Sequence, residues 1–272
     1  MGRIIRAFDG NTAQQSADAR HDESPEFGAA EAAPLMSQLR TFPNIRPPVL
    51  APDFELDDAY LRSQRIISHV RSDKSAKAYD MLRTPVLQAM DAQDWRFLAV
   101  TSPTPGCGTT TTAVNLALSI ARNFEREVML VDLNLGSPAV AGRLGIEPTI
   151  GLASVLRGDT ALEDGMLSVR IGSIRFVLLP TETPLPDSSE WMASRAMASV
   201  LQTIRRDYPQ MTVIFDLPAV LASDDALAFL PLADCTLLCA SAGITSTQQI
   251  IESGRHLQTA NLVRVVVNKV GA

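Results

Sequence analysis

Residues 101 to 122, TSPTPGCGTTTTAVNLALSIAR, constrain this chain more than any other stretch. RFLAV precedes them, a short apolar run of strand type ending at Val100. After the loop, Ala113, Leu116, Ala117, Ile120 and Ala121 recur at intervals of three and four, which predicts a helix. A strand, a tight loop with Gly106 and Gly108, and a helix opening on four threonines make a turn suited to phosphate. The glycines let backbone N–H groups converge on an anion, and the helix N-terminus adds its dipole.

The usual form of such a loop, G-x-x-x-x-G-K-[ST], places lysine directly after the last glycine. Here that residue is Thr109, while Thr110 stands where a hydroxyl would hold Mg²⁺ and Thr111 follows it. The cradle is kept and its cation is lost. Only three of the 24 basic residues are lysines, Lys74, Lys77 and Lys269, and none lies near the loop in sequence. None of the three is expected to stand in locally, which leaves an arginine or a neighbouring chain to supply charge.

Beyond the loop, strand and helix signals alternate. EVMLVDL from residue 127, IRFVLLP ending at Pro180, MTVIFDL, CTLLCAS and VRVVVNK read as strands. PAVAGRLG, GLASVLRGD, SSEWMASRAMASVLQTIRRDY, SDDALAFLPLA and TSTQQIIESGRHL read as helices between them. Apolar strands separated by crossover helices predict an α/β fold, a parallel sheet with helices on both faces. Hydrophobic residues make up 46% of the chain, enough for a substantial core. Residues 1–55 lack periodicity and carry Pro43, Pro47, Pro48 and Pro52, so they read as a disordered tail and linker. Residues 56–92 read as a helical lead-in, with a break expected at Pro85, and residues 93–272 as the phosphate-loop domain. No apolar run approaches the ~20 residues that span a bilayer, and the N-terminus does not read as a signal peptide.

VMLVDLN and TVIFDLP each end an apolar strand on an aspartate, Asp132 and Asp216. Ligand sites in such sheets lie beyond the carboxyl ends of the strands, where both acids and the loop fall. Two roles suit these acids: positioning Mg²⁺ or water, or capping turns. Asp225 suits the N-terminal end of a helix. Of the three cysteines, Cys235 and Cys239 fit one buried strand face, whereas Cys107 lies inside the loop as either a packed or a redox-sensitive thiol. A net charge of −6 and an isoelectric point near 5.1 argue against a general nucleic-acid binder.

The serial order K-A-Y-D-x-L-R, TSPTPGCGTTTTAVNLA, VMLVDLNLGSP, GLASVLRGD, LLPTETP, VIFDLPAVLASDDAL and VVVNK resembles a known family over about residues 70 to 270. It is similar to the cytoplasmic ATPase domain of bacterial tyrosine kinases for capsule and exopolysaccharide synthesis, in the wider group of MinD- and ParA-type P-loop ATPases. Its flavour is that of the subgroup accompanying exosortase-linked polysaccharide systems. The resemblance implies that Pro105, Gly106, Cys107, Gly108, Thr109, Thr110 and Thr111 wrap the phosphates of ATP or ADP, with Asn268 near the base. It makes Asp132 the first acid of a second Walker motif and Asp216 the Walker B acid. Both would be catalytic and, with Thr110, would hold Mg²⁺.

The resemblance further implies a cytoplasmic protein, peripheral at the inner face of the cell membrane, working with a membrane-spanning chain-length partner. Several motifs depart from the family. Thr109 replaces lysine, D-x-D-x-R becomes Asp132-Leu133-Asn134-Leu135-Gly136, and D-x-P-P becomes Asp216-Leu217-Pro218-Ala219. The oligomer-forming E-x-x-R-x-x-R becomes Lys77-x-x-Asp80-x-x-Arg83, which reads as solvated helix charges or as a self-association face. No tyrosine-rich tail follows Val270. Three readings follow: a weak Mg-nucleotide binder that regulates a membrane polysaccharide partner, an active tyrosine autokinase with a deviant loop, or a MinD-like positioning ATPase.

Overall fold

The computed structural model describes residues 54–123, 126–258 and 260–270. Of the tail expected over residues 1–55, all but the last two residues lie outside that description, Pro43, Pro47, Pro48 and Pro52 among them. Those two residues form β1 (Phe54–Glu55). The chain continues through α1 (Asp58–Ser63), α2 (Ala76–Ala92), β2 (Phe97–Thr101), α3 (Thr109–Ala121) and β3 (Glu127–Asp132). Next come α4 (Val140–Leu144), α5 (Leu152–Arg157), α6 (Leu162–Gly165), β4 (Leu167–Ile171) and β5 (Ile174–Leu179). The remainder is α7 (Ser188–Met192), α8 (Arg195–Asp207), β6 (Met211–Asp216), α9 (Asp225–Phe229), β7 (Cys235–Ser241), α10 (Thr247–His256) and β8 (Leu262–Asn268).

The strands make one sheet in the order β1-β4-β5-β3-β6-β2-β7-β8. From β5 to β8 every pairing is parallel, as the alternation of strands and helices predicts. β4 pairs antiparallel with β5, and β1 lies parallel to β4 at the edge. Along β2, Leu98 and Val100 enter one core while Phe97 and Ala99 enter the other. This period of two buries both faces of the sheet, with α2 and α3 on one side and α5 and α8 on the other.

Four local readings are corrected. The hairpin β4–β5 was not expected; Gly172, at φ 56°, makes its tight turn between two short apolar runs. The long lead-in helix stops at Ser63, because the backbone of residues 65–68 bonds instead to Asn115 of α3. Pro85 does not break α2, whose stripe of Leu82, Val86 and Met90 is buried. Packing of that stripe outweighs the ~3 kcal/mol that an interior proline costs. The stretch read as one helix from Ser188 divides at Ser194, which adopts an extended backbone and accepts from Met197 N–H at 3.1 Å as an N-cap.

α2 is fastened to α3 by polar contacts. Asp80 accepts from Ser119 Oγ at 2.6 Å and pairs with the nearly buried Arg122, while Arg83 donates to Ser119 O at 2.7 Å. Burial alone would raise the Asp80 carboxyl, but Ser119 and Arg122 reverse this and hold it below its usual range. Asp80 and Arg83 are thus engaged within the chain, whereas Lys77 is exposed. Asp80→Ala would leave the Arg122 guanidinium without its carboxylate and is expected to cost about 2–3 kcal/mol. Thermal melting should show a fall of roughly 4–12 °C for this variant, and almost none for Lys77→Ala. Equal melting of the two variants would show that the Asp80 contacts contribute little.

Candidate functional site

The site is built where β2 gives way to α3. Gly106 and Gly108 have φ of 80° and 86°, the left-handed region that glycine enters without strain. A Cβ at Gly106 would meet nothing within 4 Å, so the loop is open at that point. A Cβ at Gly108 would come within 2.4 Å of the Asn268 side-chain nitrogen, so this glycine also makes room for β8. Thr112 closes the first turn of α3, its N–H and hydroxyl both bonding to Gly108 O at 2.9 Å. Cys107 is buried, with Sγ 3.3 Å from Thr245 Oγ1, which favours the packed reading of its thiol. Cys235 and Cys239 are buried as expected, and burial pushes both thiols up to about 12.

Asp132 and Asp216 are register partners at the ends of β3 and β6, and both are buried. Their environments differ. Asp132 accepts three backbone N–H bonds, from Asn134 at 3.1 Å and from Ala139 and Val140 at 2.9 Å each. It thereby folds the loop that leads into α4. Burial pushes its carboxyl up to about 6 against those three bonds. Both oxygens of Asp216 are buried with no hydrogen-bond partner. Burial first, and then the like charge of Asp132, raise its carboxyl well above the usual range. The nearby Thr110 hydroxyl and the charge of the Arg143 guanidinium pull the other way. An unpartnered buried carboxylate is costly unless something neutralises it.

Mg²⁺ is held by one or two carboxylates together with waters and substrate phosphates. Asp216, with Thr110 on the first turn of α3, fits that requirement. Asp132 is already engaged by backbone donors and reads mainly as the organiser of its loop. Nearby, Thr181 Oγ1 donates to Asp132 O at 2.7 Å, and Glu182 accepts from Ala153 N, Ser154 N and Ser154 Oγ at 2.6–3.0 Å. Asp225 is buried at the start of α9 and accepts from Ser188 Oγ at 2.7 Å.

Sequence reading named Asn268 for the base side of the site but missed how it and other residues contact the loop. Asn268 Nδ2 donates to Cys107 O at 3.2 Å, which braces the loop from outside. Lys269 Nζ donates to Gly106 O at 2.7 Å, so one of the three lysines, none of which was expected to stand in locally, does reach the loop. The reason is topological: β7 lies beside β2, and β8 beside β7, in the same direction, which brings the end of β8 to the edge that carries the loop. Asn115, buried on α3, uses its whole amide. Oδ1 accepts from Ile67 N and Ser68 N, and Nδ2 donates to Arg65 O and Thr111 O. A cavity of about 540 Å³ opens here, lined by Arg65, Arg143, Lys269, Gly106, Gly108 and Thr111 among others. Among the described residues, no helix is long and apolar enough to cross a membrane.

Residues 98–272 match the CobQ/CobB/MinD/ParA nucleotide binding domain. The chain is 30% identical over 212 residues to the tyrosine-protein kinase YwqD of Bacillus subtilis, a match covering 76% of this chain and 87% of YwqD. It is 25% identical over 225 residues to the succinoglycan biosynthesis transport protein ExoP of Rhizobium meliloti, covering 80% of this chain but only 28% of ExoP. Among solved structures, the kinase domain of the Escherichia coli tyrosine kinase ETK shares the fold with a TM-score of 0.67 at 24% identity, over 73% of this chain and 77% of that one. The glycine cradle, the acids at the ends of adjacent parallel strands and these matches agree, and the chain belongs to the CobQ/CobB/MinD/ParA nucleotide-binding family, on the branch of the bacterial tyrosine-protein kinases.

Proposed function

We propose that this chain binds a Mg²⁺-nucleotide, ATP or ADP, on the loop from Pro105 to Thr111, and through it regulates a membrane partner of a polysaccharide chain-length or export system. The observation that carries the nucleotide reading is Asp216, a buried carboxylate without a partner beside an open glycine cradle. In the proposed complex, loop N–H groups hold the phosphates, and Thr110 and Asp216 hold Mg²⁺. Mg²⁺ would supply charge for the phosphate oxygens. Asp132 keeps the loop before α4 folded toward the site, and Asn268 braces the cradle.

Binding is weak in this reading because Thr109 offers a hydroxyl where the family pattern has an ammonium. A charge-assisted contact contributes roughly 1.5–3 kcal/mol, or about 10- to 100-fold in affinity. Turnover suffers more, since a cation acts most on charge that builds in the transition state. The partner reading rests on kinship. ExoP, named for succinoglycan transport, is far longer than the region matched here, and the proposed partner is a separate membrane protein. A second reading, an active tyrosine kinase, is favoured by Lys269 and Arg143 beside the loop. Phosphotyrosine detected by mass spectrometry after incubation with ATP would select it.

Calorimetric titration with Mg²⁺-ADP and a Mg²⁺-bound non-hydrolysable ATP analogue tests the central reading. Saturable binding is expected, tightened roughly 10- to 100-fold by Thr109→Lys. No binding at millimolar nucleotide would reduce the chain to a scaffold. A second test uses pH. The carboxyls of Asp132 and Asp216 are raised in the folded protein above the ordinary 3.8, to about 6 for Asp132. Stability from these groups is therefore full below pH ~4 and falls as pH rises through the folded values. Asp216→Asn should flatten that fall and raise the melting temperature of the ligand-free protein at pH 8. The same variant should lose the stabilisation by Mg²⁺-nucleotide. A lower melting temperature with an intact nucleotide response would contradict the assignment.

A further inference from the structure

The chain carries a net charge of −6, yet cations gather where the phosphate loop meets the lead-in segment. Arg65, Arg143 and Lys269 line the same cavity as Gly106, Gly108 and Thr111. They arrive from three parts of the chain: the segment after α1, helix α4 and the end of β8. Of the other charged lining groups, Arg62 is paired with Asp58, and Asp73 is the one acid, occupied by Ser75 N–H at 2.7 Å. Arg65 and Arg143 are exposed, and among the described residues neither has a carboxylate at ion-pair distance, although the charge of Arg143 is felt by the buried Asp216. Arg143 reaches only Gln64 Oε1, at 3.5 Å.

Arg65 stands at a position that ordinarily belongs to glycine. Its φ is 62°. Its N–H bonds to Arg62 O at 3.0 Å and the next N–H, of Ile66, to Leu61 O at 2.8 Å, the pattern that closes a helix through a left-handed residue. A side chain costs roughly 1 kcal/mol there relative to glycine. The carbonyl of Arg65 and the next two amides but one are held by the fully satisfied amide of Asn115, on the helix that the phosphate loop begins. The fold thus fixes the backbone of an arginine, in a left-handed conformation that favours glycine, at the cavity that the loop also lines. Lys269 uses one of its three N–H donors on Gly106 O, and the other two remain free for an anion.

We propose that Arg65, Arg143 and Lys269 form a cationic rim that grips the outer phosphates of a nucleoside triphosphate seated on the loop. Together they replace the ammonium that Thr109 does not provide. The inference rests on the nucleotide reading above. Guanidinium groups suit the task because their planar fork binds phosphate oxygens in pairs. A rim at the outer end of the tail favours the triphosphate over the diphosphate, and so reports on which nucleotide is bound.

The test is calorimetry on the full chain with Mg²⁺ and either ADP or the non-hydrolysable triphosphate AMPPNP. Arg143→Gln combined with Arg65→Gly should weaken AMPPNP roughly 10- to 100-fold and ADP less than about 3-fold. Arg65→Gly also separates binding from folding. Glycine suits the left-handed backbone, so its ligand-free melting temperature should equal or exceed that of the parent while AMPPNP binding weakens. Adding Thr109→Lys to the double variant should restore most of the lost affinity, and should gain less in the parent chain, where the rim is intact. If the double variant binds AMPPNP as the parent does, or loses ADP equally, the rim is wrong and the nucleotide reading stands. If the parent chain binds neither ligand, the nucleotide reading itself fails.

Discussion

Two buried carboxylates side by side at the carboxyl edge of the sheet set the terms for everything around them. Asp132 and Asp216 end adjacent parallel strands in direct register, in a setting that disfavours their charge. Asp132 is offset by three backbone N–H groups and so becomes part of the architecture of the loop before α4. Asp216 has no such offset. The protein keeps one acid for structure and leaves the other in need of a cation or a proton. That asymmetry makes the edge a site.

The loop next to it is held open from outside. Asn268 and Lys269 bond to the carbonyls of Cys107 and Gly106, which leaves the loop's N–H groups directed elsewhere. Thr112 locks the first turn of α3. Asn115, one turn further on, ties the same helix to the lead-in segment that carries Arg65. Helix α3 therefore connects the cradle to its surroundings at both its start and its buried polar face. The α2–α3 contacts through Asp80, Ser119 and Arg122 extend this fastening away from the site.

Much of this was legible in the sequence. The strand–glycine–helix unit, the alternation of apolar strands with helices and the acids after VMLV and VIF were all marked by local pattern, because local pattern is what determines them. What was hidden depended on distance along the chain. Lys269 reaches Gly106 only because parallel topology stacks strand ends on one edge. Arg65 became visible only when α1 proved short, and α1 is short because an asparagine some 50 residues away takes over its backbone. The hairpin of β4 and β5 was hidden for a different reason: IRFVLLP read as a strand, but its partner, the short run Leu167–Ile171 before the Gly-Ser turn, did not stand out. Pro85 shows the converse, a strong local signal overridden by a buried stripe.

The account stands on Asp216 as the group that awaits a cation beside a preformed phosphate cradle. Crystals grown with Mn²⁺ and a non-hydrolysable ATP analogue would locate that cation by its anomalous signal. The predicted result is a single peak between Asp216, Thr110 and the phosphates on the glycine loop. Phosphates bound elsewhere, or a loop that stays empty while Asp216 keeps its proton, would contradict it.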